Sequence, residues 1–216
     1  DLVIKGIEVR LCPDEDTAHI FNQNIGYVRF VWNKLIETQE QMHALFEGTK
    51  YCPYPNYTTF NCYLNILKEV FPFLRECESS ALQNVCKDLA NAYKKYFKEK
   101  QGHPKFKSKK NPKKSYKIQQ QSSKNIKIYN NTIKIPKIKK TITYKTSKKH
   151  KEILQKSKIN NLTIKYHNGI HYGVFNVELT IPALSKTHEN IGIDLGMRTL
   201  ATLSTGEKIA NLNLSY

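Results

Sequence analysis

The sequence lacks any apolar run near the roughly 18 residues that span a bilayer, and residues 1–5 show no signal-peptide pattern. These absences predict a protein that is not secreted and that works in the cytoplasm, or in the nucleus if its source is eukaryotic. Its five cysteines are odd in number and include no CxxC pair. They therefore argue against a disulfide framework or a complete zinc site, and favour free thiols in a reducing compartment.

Acidic residues are scarce in one long stretch of the chain. Residues 94–151 contain 21 lysines and a single acid, Glu99, and the whole chain has a formal net charge of +17. Hydrophobic residues make up 39% of the sequence, which is enough for a packed core. A folded chain this basic usually binds a polyanion, so nucleic acid is the first candidate partner and an anionic membrane surface the second.

The first hundred residues predict one strand and then helices. Alternating apolar residues indicate the strand at 2–11. Helical spacing of apolar residues predicts helices over 17–46, over 57–70, and from Ser79 or Ser80 to Phe97. Gly26 is expected to break or bend the first helix, and Ser79 or Ser80 is the expected N-cap of the third.

After Gly102 the pattern changes to short β-rich segments separated by turn residues. The predicted strands are 115–120, 125–129, 132–135, 141–145, 161–167 and 171–181. Asn130-Asn131 and Asn168-Gly169 are the expected hairpin turns. Short strands at this spacing predict a small barrel, which the strand at 2–11 can join. The fold class is therefore α+β, with helices inserted into a barrel.

The segment from Ile191 to Glu207 carries the motif that indicates chemistry. A strand with Asp194 in its middle is followed by a glycine turn and a second strand, which is how a ribonuclease-H-like fold begins. In that fold the aspartate ligates a divalent metal beside the scissile phosphate. The folds of sugar-kinase and chaperone ATPases begin with a similar strand and glycine turn. Those proteins, however, have small hydroxyl residues where this chain has Met197 and Arg198. An aspartate at an ordinary strand end is the alternative interpretation.

Six segments that occur in one order form a specific signature, although no single segment is specific. They are residues 10–13 after the first strand, 26–34 (GYVRFVWNK), 80–84 (SALQN) with 89–97 (LANAYKKYF), 104–110 (PKFKSKK) with 115–116, 133–137 (IKIPK), and the segment from Ile191. In this order they resemble TnpB, the transposon-encoded ancestor of type V CRISPR effectors, and its eukaryotic relatives, the Fanzors. The resemblance covers nearly the whole chain.

The resemblance implies a three-part architecture. Residues 1–13 and 102–183 are expected to form a wedge-type β-barrel, and a helical recognition module at 14–101 is inserted into it. A linker at 184–189 leads to the start of a RuvC nuclease domain at 190–216. The interpretation from the hydrophobic pattern, in which helices interrupt a barrel, agrees with this architecture.

The resemblance also implies an RNA-guided endonuclease that cuts double-stranded DNA. Its expected partners are a guide RNA and a target DNA with a short flanking motif, and no membrane is expected among them. Its expected cofactor is Mg²⁺. Asp194 is the implied catalytic residue and metal ligand. The family's site also needs a glutamate and a second aspartate far downstream, with a zinc-binding cysteine cluster between RuvC segments. Glu207 does not match that glutamate, so these groups are expected beyond Tyr216, and the chain alone is expected to be inactive.

Two sets of polar residues are candidates for contacts with nucleic acid. Candidates for reading the flanking DNA motif are Gln83, Tyr57, Asn61, Ser79, Ser80, Gln121 and Ser122. Candidates for binding RNA phosphates are Lys94, Lys95, Lys105, Lys107, Lys109, Lys110, Lys113 and Lys114. A glutamine can bond adenine bidentately, but a solvated helix residue or a contact to the barrel is the alternative for Gln83. The lysine run is alternatively a mobile solvated loop, and its aromatic neighbours Phe106 and Tyr116 either stack on bases or anchor the loop.

Three functions remain open from the sequence. The first is an RNA-guided DNA endonuclease, and the second is a nuclease-inactive, RNA-guided DNA-binding repressor derived from the same family. The third is a plain basic RNA-binding protein, which the charge alone permits. The intact Asp194 favours the first, the absence of further matching acids favours the second for this chain, and the ordered series of segments argues against the third.

Overall fold

The structure is a computed structural model that describes residues 2–110, 114–121, 125–180 and 190–211. The chain divides into two compact units, one over Leu2–Thr180 and one formed mainly by residues 181–216. Within the described ranges, no helix is both long enough and apolar enough to cross a membrane. The first unit combines helices with a large sheet, and the described residues of the second form a small sheet.

In the residues that the structure describes, the larger unit contains seven strands and four α-helices. Its strands are β1 (Leu2–Cys12), β2 (Lys114–Gln119), β3 (Lys127–Ile128), β4 (Thr132–Lys134), β5 (Ile142–Lys145), β6 (Lys158–His167) and β7 (Ile170–Thr180). Its helices are α1 (Glu15–Phe46), α2 (Tyr57–Val70), α3 (Ser79–Glu99) and α4 (Lys148–Lys156), with a 3₁₀ helix at Pro72–Arg75. The predicted α+β class is confirmed.

The strands pair antiparallel in the order β2-β6-β7-β1-β5-β4-β3. The predicted first strand joins the sheet: β1 pairs with β7 from Leu2 opposite Thr180 to Leu11 opposite His171. Within the described residues β2 and β3 are the two edges, so the small barrel expected from the strand spacing is present as a curled half-barrel. The chain leaves this sheet after β1, forms three helices, and returns at β2.

Helix α1 runs without interruption through Gly26, so of the two expected outcomes, a break or a bend, the break is wrong. Glycine in a helix interior costs roughly 1 kcal/mol relative to alanine. The packing of the helix offsets this cost, because Ile25, Trp32 and Ile36 are buried on one side and Val28 packs against the same core. The apolar residues at helical spacing, which predicted this helix, are thus the reason that it continues past Gly26.

The start of α3 is capped by a residue that the sequence did not suggest. The carboxylate of Glu78 accepts a hydrogen bond from the N–H of Ala81 at 3.0 Å, so Glu78 and neither Ser79 nor Ser80 is the N-cap. An acid at this position is also favoured by the positive end of the helix dipole. The prediction of a serine cap is therefore wrong, although the predicted start of the helix is correct.

The β-rich second half of the larger unit largely follows its prediction. The β6–β7 hairpin turns at Asn168 and Gly169, which both have positive φ (47° and 78°), as a two-residue hairpin turn requires. Helix α4 was not predicted. It is a short helix with four lysines whose two apolar residues, Ile153 and Leu154, are adjacent, which is too little to indicate a helix by spacing.

All five cysteines are free thiols, as the spacing predicted. Burial raises the pKa of the Cys77 and Cys86 thiols to about 12. These two thiols therefore stay protonated near neutral pH and are chemically inert.

Candidate nucleic-acid interface

A pocket of about 290 Å³ opens between α1, α3 and β2. Its lining includes one acid, Asp88, and four cations: Arg29, Lys107, Lys114 and Lys117. Apolar side chains of both helices also line it: Ile25, Val28, Trp32, Ala81 and Val85. The volume is close to the lower end of the range for ligand pockets, roughly 300–1,000 Å³. A concave surface with this excess of cations concentrates anions.

Lys107 is fixed in this pocket by contacts to α1. Its backbone N–H donates to Oδ1 of Asn33 at 2.8 Å, and its carbonyl accepts from Nδ2 of the same side chain at 3.1 Å. Its ammonium lies 3.6 Å from the centroid of the Trp32 ring, which is a cation–π contact. The Trp32 indole N–H donates to the carbonyl of Lys105 at 3.0 Å. The segment at 105–107 is therefore attached to α1 in the structure.

The charges in the pocket are only partly compensated. Desolvation lowers the pKa of Lys107, and nearby Asp88 opposes that shift. Asp88 is itself paired, because its carboxylate lies 3.7 Å from the ammonium of Lys117. Within the described part of the chain, Arg29 and Lys114 have no ion-pair partner. Uncompensated, partly desolvated cations around a pocket indicate a site for an anion.

Five of the other predicted phosphate ligands lie outside this pocket. Lys94, Lys95, Lys105, Lys109 and Lys110 are exposed. Lys114 is half-buried, and its ammonium lies 5.7 Å from the centroid of the Tyr166 ring. Lys113 is outside the described residues. The structure therefore brings Lys107 and Lys114 together and adds Arg29 and Lys117, which the sequence did not suggest.

The candidates for reading DNA lie mainly on one side of the helical region. Ser79, Gln83 and Lys87 are four residues apart along α3 and so share one side of the helix. The Lys87 ammonium lies 5.6 Å from the centroid of the Tyr57 ring, and Asn61 follows Tyr57 by one turn of α2. We call these five residues the α2–α3 polar face. Lys87 was missed, although its four-residue spacing from Gln83 is a signal in the sequence.

Ser80 does not belong to this face, because it is buried at the junction of α3 and β2. Its hydroxyl donates to the Glu78 carboxylate and accepts from the N–H of Gln119 at 3.0 Å. Gln121 is exposed after β2, and its N–H donates to Oδ1 of Asn125 at 2.9 Å. Ser122 is outside the described residues. The geometry thus gives Ser80 a structural role.

We expect Ser80→Ala to lower the free energy of unfolding by about 1–3 kcal/mol, because it leaves the partly buried N–H of Gln119 without its partner and removes one of two hydrogen bonds to the buried Glu78 carboxylate. The matched change at the exposed neighbour, Ser79→Ala, should stay within about 0.5 kcal/mol of the parent. Urea unfolding of both variants measures the difference. Equal stability of the two variants would contradict the structural role of Ser80.

The aromatic residues interleaved with the lysines differ in accessibility. Tyr116 is buried, and desolvation raises the pKa of its hydroxyl. It therefore anchors β2 in the core and does not offer a ring face to a base. Phe106 is largely exposed and still has a free ring surface.

The smaller unit is a three-stranded antiparallel sheet of β8 (Ile193–Leu195), β9 (Thr199–Leu203) and β10 (Lys208–Ala210). Asp194 is opposite Thr202, which is in turn opposite Lys208. Opposite residues share a face of the sheet, so an acid, a hydroxyl and an ammonium form one row. Ile193 and Leu195 point to the other face.

The exposed carboxylate of Asp194 is an oxygen ligand of the kind that Mg²⁺ prefers. Among the described residues, however, no group of three or more His, Cys, Asp or Glu side chains is placed to hold a metal ion. Glu207 lies in the turn between β9 and β10 and is exposed. The described residues therefore supply one suitable ligand and not a metal site.

A family model described as a helix-turn-helix domain (HTH_OrfB_IS605) matches residues 3–48. In the structure this stretch is β1 followed by the single continuous helix α1, with no turn between two helices. The match is therefore not evidence that a recognition helix of this chain enters the major groove of DNA.

Two curated relatives match most of the chain. One, from Escherichia coli (strain K12), is named "Putative RNA-guided DNA endonuclease InsQ" and is 27% identical over 87% of this chain and 44% of its own length. The other, from Streptomyces pristinaespiralis, is named "Putative RNA-guided DNA endonuclease" and is 25% identical over 97% of this chain and 50% of its own length. The chain thus spans about half the length of the curated relatives it matches.

Proposed function

The chain belongs to the TnpB family, and from this premise we propose that it forms part of an RNA-guided protein that binds and cuts double-stranded DNA. The names of the two relatives support this proposal. The observation on this chain that carries it is the cationic pocket between α1, α3 and β2, in which contacts to Asn33 and Trp32 hold Lys107.

In this proposal the guide RNA lies along the basic surface of residues 94–151, and one of its phosphates is bound at the pocket. Contacts to phosphates set the position of a nucleic acid but carry no sequence information. The target sequence is instead selected by base pairing with the guide RNA, and the protein reads only a short flanking motif. The proposal assigns the half-barrel to the wedge barrel, the helices to the recognition module and the small sheet to the start of RuvC.

Asp194 supplies one carboxylate to the nuclease centre. Mg²⁺ at such a centre stabilises the charge that develops on the phosphate and activates water. Asp194 lies on the polar face of the small sheet, and the opposite face carries Ile193 and Leu195. This orientation is consistent with a ligand role, because the polar face of the sheet can approach a charged centre.

The RNA that copurifies with the polypeptide encoded by the complete reading frame tests the proposal. A guided protein should retain one discrete RNA species with a constant part and a variable part. Copurified RNA with the composition of total cellular RNA would instead indicate a plain basic RNA-binding protein.

We further propose that the α2–α3 polar face reads the flanking motif of the DNA. Gln83→Ala should alter the preferred base at one flanking position, with a loss of discrimination of about 1–3 kcal/mol, since a side-chain amide can bond a base edge bidentately. The matched control is Gln23→Ala, which removes an exposed glutamine from α1.

Sequencing the DNA retained from a library with a fixed target and randomised flanks measures this change. The Gln23→Ala variant should give the parental motif. A parental motif for Gln83→Ala as well would remove Gln83 from the recognition surface.

A further inference from the structure

A cluster of rings lies at the C-terminal end of α3, and none of its members lines the cationic pocket. Phe97 is at its centre: its ring centroid lies 6.1 Å from that of Tyr54 and 6.2 Å from that of Tyr93, with interplanar angles of 29° and 25°. Tyr96 contacts both Phe97 and His103, at 5.0 and 5.1 Å. The three outer rings, Tyr54, Tyr96 and Phe97, are called the aromatic platform below.

The platform is largely open to solvent. Tyr54 is 58% exposed, Phe97 is 53% exposed and Tyr96 is 38% exposed, whereas Tyr93 beneath them is buried. Isolated exposed apolar residues are common on protein surfaces, but contiguous exposed apolar patches mark interaction sites. The rings are also held in place by their mutual contacts, so a ligand that stacks on them loses little entropy in ordering them.

Positive charge is concentrated in the segment that carries two of the platform rings, although Glu40 of α1 is close enough to the underlying Tyr93 to add to the rise that burial causes in the pKa of its hydroxyl. Residues 94–100 contain four lysines, Lys94, Lys95, Lys98 and Lys100, and one acid, Glu99. All four lysines are exposed, and within the described residues none is in an ion pair. Lysine is depleted in protein–protein interfaces. Exposed rings among uncompensated lysines are the combination that binds single-stranded nucleic acid, through stacking on bases and attraction of the backbone.

We propose that the aromatic platform stacks unpaired bases of the bound RNA while the surrounding lysines contact its backbone. This inference rests on the proposed function, and it adds a second RNA contact, distinct from the phosphate pocket. It requires unpaired nucleotides, because the bases of a duplex are stacked on one another and do not offer their faces. The site is therefore selective for single-stranded segments and tolerant of their sequence.

The test is the affinity of the 216-residue chain for a fluorescein-labelled single-stranded 12-nucleotide oligo(U) and for a 12-base-pair RNA duplex. Tyr54→Leu/Phe97→Leu removes two ring faces and keeps apolar side chains of similar reach. In this variant, each base that can no longer stack on a ring should weaken the binding of oligo(U) about 5- to 150-fold. Binding of the duplex should stay unchanged. Phe97→Trp should retain the parental affinity.

Tyr51→Leu is the matched control, since Tyr51 is a 70% exposed ring outside both the platform and the basic segment 94–151, and it should behave as the parent does. Unchanged oligo(U) affinity in the double variant, or equal losses for oligo(U) and duplex, overturns the inference. So does a double variant that keeps its RNA affinity but loses self-association in sedimentation, since the platform is then a protein interface. If the parent binds neither RNA, the proposed function itself fails.

Discussion

We expect Asp194→Ala to abolish DNA cleavage by the polypeptide of the complete reading frame and to leave its RNA-guided DNA binding intact. We expect this separation because the described cationic surfaces lie in Leu2–Thr180, whereas Asp194 belongs to the small sheet of the other unit. A two-metal phosphodiester site needs several carboxylates to balance its charge and to hold the metals about 3.5–4 Å apart. Loss of one ligand from such a set removes catalysis while RNA and DNA contacts elsewhere persist.

Glu207→Ala is the matched control, because Glu207 is an exposed acid in the same unit that does not correspond to a family ligand. This variant should cut as the parent does. The 216-residue chain by itself should cut nothing, since Mg²⁺ releases its water reluctantly and one carboxylate binds it weakly. Guided cleavage by the Asp194→Ala variant, or by the 216-residue chain in Mg²⁺, would show that the catalytic centre lies elsewhere.

RNA binding should weaken by orders of magnitude between roughly 50 and 200 mM salt, because each contacted phosphate releases counterions. Arg29→Gln/Lys114→Gln should lower the slope of log affinity against log salt by about 0.7 for each lost contact to a single-stranded segment. Both residues line the pocket and lack an ion-pair partner among the described residues. Their replacement therefore removes charge from the site without leaving a described carboxylate unpaired.

Lys5→Gln/Lys50→Gln removes the same charge at exposed positions outside both the pocket and the basic segment, and its salt slope should equal that of the parent. Trp32, the single tryptophan of the chain, gives a local readout, because the Lys107 ammonium lies 3.6 Å from its ring centroid. RNA binding should change the Trp32 emission in the parent and in this control. Equal salt slopes for the two double variants, with unchanged Trp32 emission, would contradict the pocket as a phosphate site.

Local signals in the sequence predicted the elements that depend on local interactions. The bounds of α2 match because an asparagine cap and an apolar stripe both act within the helix. The turn at Asn168-Gly169 matches because few residue types adopt positive φ at both positions. The cap of α3 was missed because a glutamate before a helix commonly reads as a solvated acid, whereas Glu78 is buried against Ser80.

The candidate site was only partly predictable, because it is assembled by tertiary contacts. The lysine run was visible as composition, but the attachment of Lys107 depends on Asn33, which is 74 residues away in the sequence. Arg29 was read as part of a helix signature, and only the packing of α1 beside β2 places it near Lys114. The aromatic platform likewise combines the loop before α2 with the end of α3. Periodicity along the chain carries no information about such juxtapositions.

The central claim is that a bound RNA directs where this protein binds DNA. The most direct test uses the polypeptide of the complete reading frame, loaded with either of two RNAs that differ only in their variable part. Its retention of two DNA duplexes with identical flanks, each matching one of the RNAs, is then measured. The account predicts that each RNA directs binding to its own duplex, so that exchanging the RNA exchanges the preference. Equal retention of both duplexes with either RNA would contradict the account and leave a basic protein that binds nucleic acid without guidance.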